Sequence, residues 1–485
     1  MLFASLQYML FLPAVVLLFW FLPKSFRMPM LLIASWYFYS CWCPPMVLLI
    51  IAMTVANFYM GRMLSRAPKE KKRTIFGVGT ALNLLCLGVF KYGNFAVTNV
   101  SSVVGFVSGN DPHWTLNIIL PLAISFFTFE FIHYLFEIYR GNKPIDSFVL
   151  FSLFAAFFPT QIAGPIKRYP DFVKQMTAER PFDFTLFDKG LMLIIIGLAK
   201  KVLVADNLSA LVNMVMTEPG AYGSIELWIM ALAFTFQIYF DFSGYSDIAR
   251  GSAMLFGYDI PINFNMPFAA KNIAEFWQRW HMSLSSWLRD YVFLPVWFAS
   301  KRDRWQTHKA LFLTMVICGF WHGASWTFMV WGAFHGLALI IHREFADWRT
   351  KTGIWKTFFE GQVFRYMSIV MTFLTFCVSL VIFRSPDIQT SYSIIKRMFI
   401  WKNFYSPATD GQFLMARPDL PIIVPLALLI LALMLIQNLP LSALIEKKAF
   451  QTTPVPLKAA FYTLLVVAML VYFPSDSQPF IYFQF

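Results

Sequence analysis

Charge interrupts the apolar runs of this chain so rarely that a water-soluble fold is excluded. Leu191–Leu198, Ile422–Ile436 and Ala459–Val471 contain no charged residue. About 20 such residues in a helix cross a hydrocarbon core of about 30 Å. Only 13% of the 485 residues are charged and 58% are hydrophobic, where a soluble domain carries about 25% charge. A polytopic, all-α membrane protein is expected, because a helix satisfies its own backbone polar groups in lipid.

Met1–Leu22 is apolar from its first residue, with neither a basic n-region nor a small-residue cleavage site. It reads as a retained span and not as a removable signal peptide. The net charge of +13 would suit nucleic acid in a soluble chain. In a membrane chain it reflects basic residues collected in cytoplasmic loops, and no nucleic-acid partner is expected. The five cysteines (Cys41, Cys43, Cys86, Cys318, Cys377) are odd in number and lack zinc-type spacing, so a structural role is expected. The Cys41-Trp42-Cys43 pair sits beside Pro44-Pro45 at a helix end.

Basic loops orient the spans. Arg62–Thr74 is the clearest cytoplasmic loop. Ile75–Tyr92 leads out to Gly93–Thr115, which has no Lys or Arg, and Leu116–Ile138 returns to Arg140 and Lys143. The 16-residue piece Phe148–Ala163 has basic residues at both ends and reads as re-entrant. Phe187–Val204 crosses outward, and Ile225–Phe242 crosses back. Leu311–Phe320 is too short to span, and Trp326–Ile341 follows a Gly-flanked break; if both outer ends are cytoplasmic, His322 lies near mid-membrane. Further spans are expected at Tyr366–Phe383, Ile422–Leu439 and Ala459–Phe473. The count is about ten spans plus re-entrant helices in one integral-membrane domain over residues 1–485, with the chemistry-bearing motifs in 240–341.

Two segments place histidine among aromatics: Phe276–Ser285 (FWQRWHMSLS) and Cys318–Trp326 (CGFWHGASW). Histidine at membrane depth is costly, and it exchanges a proton near neutral pH. Lys271–Tyr291 reads as one amphipathic interfacial helix, with apolar residues at three- and four-residue steps and His281 at its seam. A snorkelling His281 is as good a reading as a functional one. His322 stands between Gly319 and Gly323, which permit close approach and a helix break, with Trp321 and Trp326 framing a tight pocket. That setting suits a general base; a buried histidine packing two helices is the alternative. Glu130, His133 and Glu137 share a helix face, and Asp241 and Asp247 flank Phe242–Tyr245; they support a polar tunnel or simply join helices. His335 reads as structural. There is no Walker A loop, no Gly-x-Ser-x-Gly elbow and no HExxH motif, so ATP-driven transport, ordinary serine hydrolysis and a bound metal are unsupported.

These residues carry a resemblance. LPLAISFFTF (Leu120–Phe129), FPTQIAGPIKRYPDF (Phe158–Phe172), GLAKKVLVADNL (Gly197–Leu208), FDFSGYSD (Phe240–Asp247), GYDIPINFNMP (Gly257–Pro267), FWQRWHMSLSSWLRD (Phe276–Asp290), Cys318–Trp326 and FIYFQF (Phe480–Phe485) resemble, in order, the membrane-bound O-acyltransferase (MBOAT) family. Within it the chain is most similar to the alginate O-acetylation (AlgI-like) branch; Ala123 stands where that family often has glycine.

The resemblance implies a ring of tilted transmembrane and re-entrant helices around a central tunnel, in a multi-pass protein of the bacterial inner membrane. It implies that His322 is catalytic, as general base on an incoming hydroxyl or as direct nucleophile, and His281 a second active-site residue. Trp280, Trp321, Trp326, Asp241 and Ser243 are the expected tunnel lining. Acetyl-CoA is the expected donor, a substrate and not a resident cofactor, with Lys167, Arg168, Arg279, Lys301, Arg302 and Arg304 offering charge to its phosphates. The acetyl group would pass across the bilayer to a periplasmic SGNH-hydrolase-like partner and then to hydroxyls of an exported polysaccharide. D-alanyl or other acyl transfer to a cell-wall polymer is an alternative. So is a polytopic transporter with broken helices, which uses midplane polar residues as well.

Overall fold

A computed structural model describes residues 1, 3–109, 113–116, 118–353, 359, 361–400, 453–472 and 480–481. The described secondary structure is helical, with no strand among those residues. Among the described residues, four helices are long and apolar enough to cross a membrane: Pro44–Arg66, Lys69–Ser108, Ser224–Leu255 and Gln362–Arg384. The expected span Ile422–Leu439 lies outside the described residues.

The chain gathers into two compact units, Met1–Ile194 with Tyr245–Pro261, and Ile195–Gly244 with Ile262–Phe485. In the first, helix Leu6–Phe21 starts on Ser5, whose side chain accepts the Tyr8 N–H, and Pro44 opens helix Pro44–Arg66, where its missing N–H costs nothing. The expected outside loop after Tyr92 is instead helical. Helix Lys69–Leu87 runs through a π-turn at Gly88–Tyr92 into Gly93–Ser108. The wider turn absorbs Gly88 and Gly93 without ending the helix, so the run reaches 40 residues. Asn57 and Asn83 exchange side-chain hydrogen bonds of 3.0 and 2.8 Å between neighbouring helices, a polar clamp suited to an apolar setting.

The expected Leu116–Ile138 span begins late: Ala123 is left-handed (φ 60°) and the helix is Ile124–Tyr139. Phe148–Ala163 contains a helix of nine residues, Phe148–Ala156, followed by buried turns. Such a piece is too short to span and keeps its irregular backbone inside protein, as a re-entrant element must. Its Phe151 packs against Phe131 and Tyr134 of the preceding helix, with Tyr134 and Phe151 centroids 4.7 Å apart.

In the second unit, helices Arg304–His322 and Trp326–Thr352 form a hairpin. Glycines let their backbones touch. A Cβ on Gly332 would strike the Met315 carbonyl, and one on Gly336 would lie 3.1 Å from Phe312 Cα. Gly319 faces the Phe328 carbonyl in the same way. Helix Gln362–Arg384 packs beside Trp326–Thr352, and its Ser379 hydroxyl lies 3.1 Å from Nε2 of buried His335.

Candidate active site

His322 is the last residue of helix Arg304–His322. The backbone then turns extended at Gly323 (φ −166°), and Ser325 caps the next helix by accepting the Thr327 N–H. Gly323 is required here because a Cβ would enter the Phe328 ring. The break holds the imidazole, 6% exposed, in an aromatic frame. Trp321, Trp331 and Phe383 lie 4.8, 5.2 and 5.2 Å away between centroids, all close to edge-on. The C-terminal end of a helix is electronegative, so it favours the positive charge an imidazole acquires on taking a proton.

Trp326 opens the second helix and is 52% exposed. Trp331, 2% exposed, closes the pocket. Its position nine residues beyond His322, across a helix break, concealed that role in the sequence.

The expected single helix Lys271–Tyr291 is broken at His281. Ile273–Arg279 ends, His281 adopts φ 44° and ψ 53°, and Met282–Leu288 begins. Asn263 causes the break by supplying what a continuous helix would have supplied. Its carbonyl accepts the Met282 N–H (2.9 Å), and its side chain accepts from Ser283 N and Oγ (3.3 and 2.6 Å). A left-handed histidine is uncommon, and such strain gathers at functional sites. His281 is fully buried and not at an interfacial seam. Burial pushes its imidazole down to about 3, so it is neutral at physiological pH. Its ring packs on Phe242 at 4.6 Å and on Trp321 at 6.1 Å. One indole, Trp321, thus touches both histidines. Trp280 is buried against Phe264, Phe276 and Phe376.

A second polar centre is built around Lys201. Lys200–Ala205 forms a π-turn, and Gly244 allows the Ser224–Leu255 helix to cross close by, where a Cβ would lie 2.6 Å from the Gly197 carbonyl. Lys201 Nζ reaches Asp206 Oδ1 at 2.8 Å and Asp241 Oδ1 at 2.9 Å. Asp241 Oδ2 accepts the Ile481 N–H at 2.7 Å, and the Phe480 ring packs tilted against Phe242 at 5.8 Å. Asp241 is therefore a buried anchor for the end of the described chain, and Ser243 is buried beside it in sequence. Lys201 was legible only as one of two lysines in the apolar run Gly197–Leu208; its carboxylate partners are remote or outside the helical repeat.

The basic residues divide sharply. Lys167, 1% exposed, donates to Glu130 Oε1 at 2.7 Å and to Thr160 Oγ1 at 2.6 Å inside the first unit. It also lies over the Phe154 and Phe172 rings. Arg168 is half-buried and precedes helix Tyr169–Thr177. Both belong to the other unit from the histidines. Arg279 pairs with Glu275 at 2.8 Å, and Arg304 pairs with Glu344, which also meets His308 Nε2 at 2.8 Å. Lys301 and Arg302 are exposed, with Arg302 over Trp297 and Phe298.

The family model of the membrane-bound O-acyltransferases matches residues 125–384, which include both histidines. A "Probable alginate O-acetylase AlgI" of Pseudomonas aeruginosa is 36% identical over 394 residues, covering 80% of this chain and 73% of that protein. One of Pseudomonas putida is 32% identical over 98% of each chain. A "Peptidoglycan O-acetyltransferase" of Helicobacter pylori is 32% identical over 76% of this chain and 73% of its own.

Proposed function

We propose that this chain, which belongs to the membrane-bound O-acyltransferase family, moves acetyl groups from cytoplasmic acetyl-CoA across the inner membrane for O-acetylation of an exported, alginate-like polysaccharide. The observation that carries this reading is the pair of buried histidines against one indole, with His322 at a helix break. Relatives over most of the chain named for alginate and peptidoglycan O-acetylation support the acetyl group and the polysaccharide acceptor.

In this mechanism His322 is the general base. It removes the proton of an incoming hydroxyl as the oxygen attacks the thioester carbonyl carbon. The C–S bond breaks, and the proton is returned to the departing thiolate of coenzyme A. The helix C-terminus stabilises the transient imidazolium. His281, neutral and buried, positions the thioester through a hydrogen bond and does not take the proton. Lys301 and Arg302 supply charge for the donor's phosphates, since Arg279 and Arg304 already face carboxylates and Lys167 is buried against Glu130. A periplasmic SGNH-type acetyltransferase subunit receives the acetyl group on the far face.

The test uses the purified protein in sealed proteoliposomes with acetyl-labelled acetyl-CoA on one side. The reading requires donor-dependent release of free CoA and label on an acceptor polysaccharide or partner on the opposite side. A transporter would move label without releasing CoA, and a D-alanyl transferase would ignore acetyl-CoA.

A further inference from the structure

The first unit contains a cavity of about 170 Å³, remote from the histidines in sequence and unused by the proposed reaction. Trp20, Phe182, Leu186, Phe187 and Met254 make it apolar, and Arg180 brings a guanidinium to it. The walls are fixed. Trp20 Nε1 donates to the Leu255 carbonyl at 2.9 Å, and its ring meets Phe182 at right angles, 5.1 Å away. Arg180 Nη1 donates to the Gly257 carbonyl at 2.6 Å, which leaves its other N–H groups available. Asp183 also lines the cavity, but its carboxylate is held by the Thr185 and Leu186 N–H groups.

A second guanidinium flanks the same indole. Arg27 lies over Trp20 at 5.1 Å and donates to backbone carbonyls of Trp20 and Leu22. Neither Arg27 nor Arg180 faces a carboxylate among the described residues, whereas neighbouring Lys24 is paired with Glu179 at 3.1 Å. Phe182, which lines the cavity, is 51% exposed, and Phe21, Phe26 and Phe184, close in sequence to Trp20, Arg27 and Phe182, are exposed by 85, 60 and 73%. Aromatic and basic residues together mark the depth of lipid headgroups. A largely apolar cavity with two guanidinium groups that make no ion pair among the described residues suits an acyl chain capped by a phosphodiester.

We propose that this cavity binds one anionic phospholipid, its acyl chain among Trp20, Phe182, Leu186 and Phe187 and its phosphate at Arg180 and Arg27. The site is independent of the acyl-transfer reading, and an inactive His322 variant retains it.

Native mass spectrometry of the full chain, delipidated and titrated with phosphatidylglycerol or phosphatidylcholine, tests this. The wild type retains phosphatidylglycerol preferentially. A basic residue near a lipid surface contributes roughly fivefold in affinity, so R27Q and R180Q each reduce the preference about fivefold, and the double variant nearly abolishes it. Leu186→Trp fills the cavity without touching either cation and reduces retention of both lipids. Glycerol phosphate does not displace the bound lipid. Unchanged lipid preference in the double variant, or undiminished retention in Leu186→Trp, overturns the proposal. Displacement by glycerol phosphate would overturn it too, because the site would then take a soluble phosphate. If the double variant melts early, Leu186→Trp still decides.

Discussion

His322 stands edge-on to Trp331, with centroids 5.2 Å apart and planes at 88°. The two residues belong to consecutive helices, so the contact exists only because those helices approach closely enough for Gly332 to touch the Met315 carbonyl. The geometry of His322 is thus set by glycines that carry no chemistry. Gly332→Val should lower the melting temperature of the purified protein, with overpacking costing about 1–3 kcal/mol, and should depress kcat alongside. An unchanged melt would mean that the hairpin does not need this approach.

The Lys167–Glu130 pair makes a prediction that separates structure from donor binding. Lys167→Ala leaves a buried carboxylate without its cation, which costs about 3–5 kcal/mol. The double variant Lys167→Met, Glu130→Leu should recover most of that stability, since apolar replacement of a buried pair is often neutral or better. KM for acetyl-CoA in the double variant should stay near wild type. A large rise in KM with normal stability would restore Lys167 to the donor site.

On the donor side, Lys301→Gln with Arg302→Gln should raise KM for acetyl-CoA severalfold and leave kcat little changed. Arg304→Gln, whose charge already faces Glu344, should raise it less. Equal effects would show that the carboxylates do not set aside Arg304, and no effect in either would leave these residues as orienting charge alone.

His281 gives a pH dependence of known sign. Burial holds its imidazole at about 3 when folded, against an ordinary value of about 6.5 unfolded. Above about pH 6.5 both states are neutral and nothing is lost. As pH falls from there towards 3 the unfolded state binds the proton and the fold loses stability. His281→Asn removes that titration, so its melting temperature should fall less steeply than the wild type's between pH 6.5 and 4.5. Activity of the variant should be strongly reduced with some left behind, since misplacement by about 1 Å costs on the order of 10²-fold. Parallel stability curves would show that His281 is not buried neutral.

Low charge and long apolar runs made the helical membrane fold readable from the residues, and the two histidine segments marked the candidate site. The Gly-flanked break at His322 was readable because glycine spacing is local. The break at His281 was not, because Asn263, which satisfies the freed N–H groups, lies 18 residues upstream in a segment with no helical period. Trp331 was missed for a similar reason: adjacency in sequence across a break says little about which ring turns back. The Lys201–Asp241 and Lys167–Glu130 pairs join segments far apart in the chain, and no periodicity reports such contacts.

The central claim is that His322 takes the hydroxyl proton. The most direct measurement is kcat for acetyl transfer from acetyl-CoA by purified His322→Gln in proteoliposomes, with melting temperature and donor KM measured on the same sample. Glutamine keeps a polar side chain of similar size but cannot accept the proton. The account predicts kcat lowered by about 10²–10⁴-fold with the melt and KM close to wild type. A kcat within a few-fold of wild type in well-folded protein would contradict it.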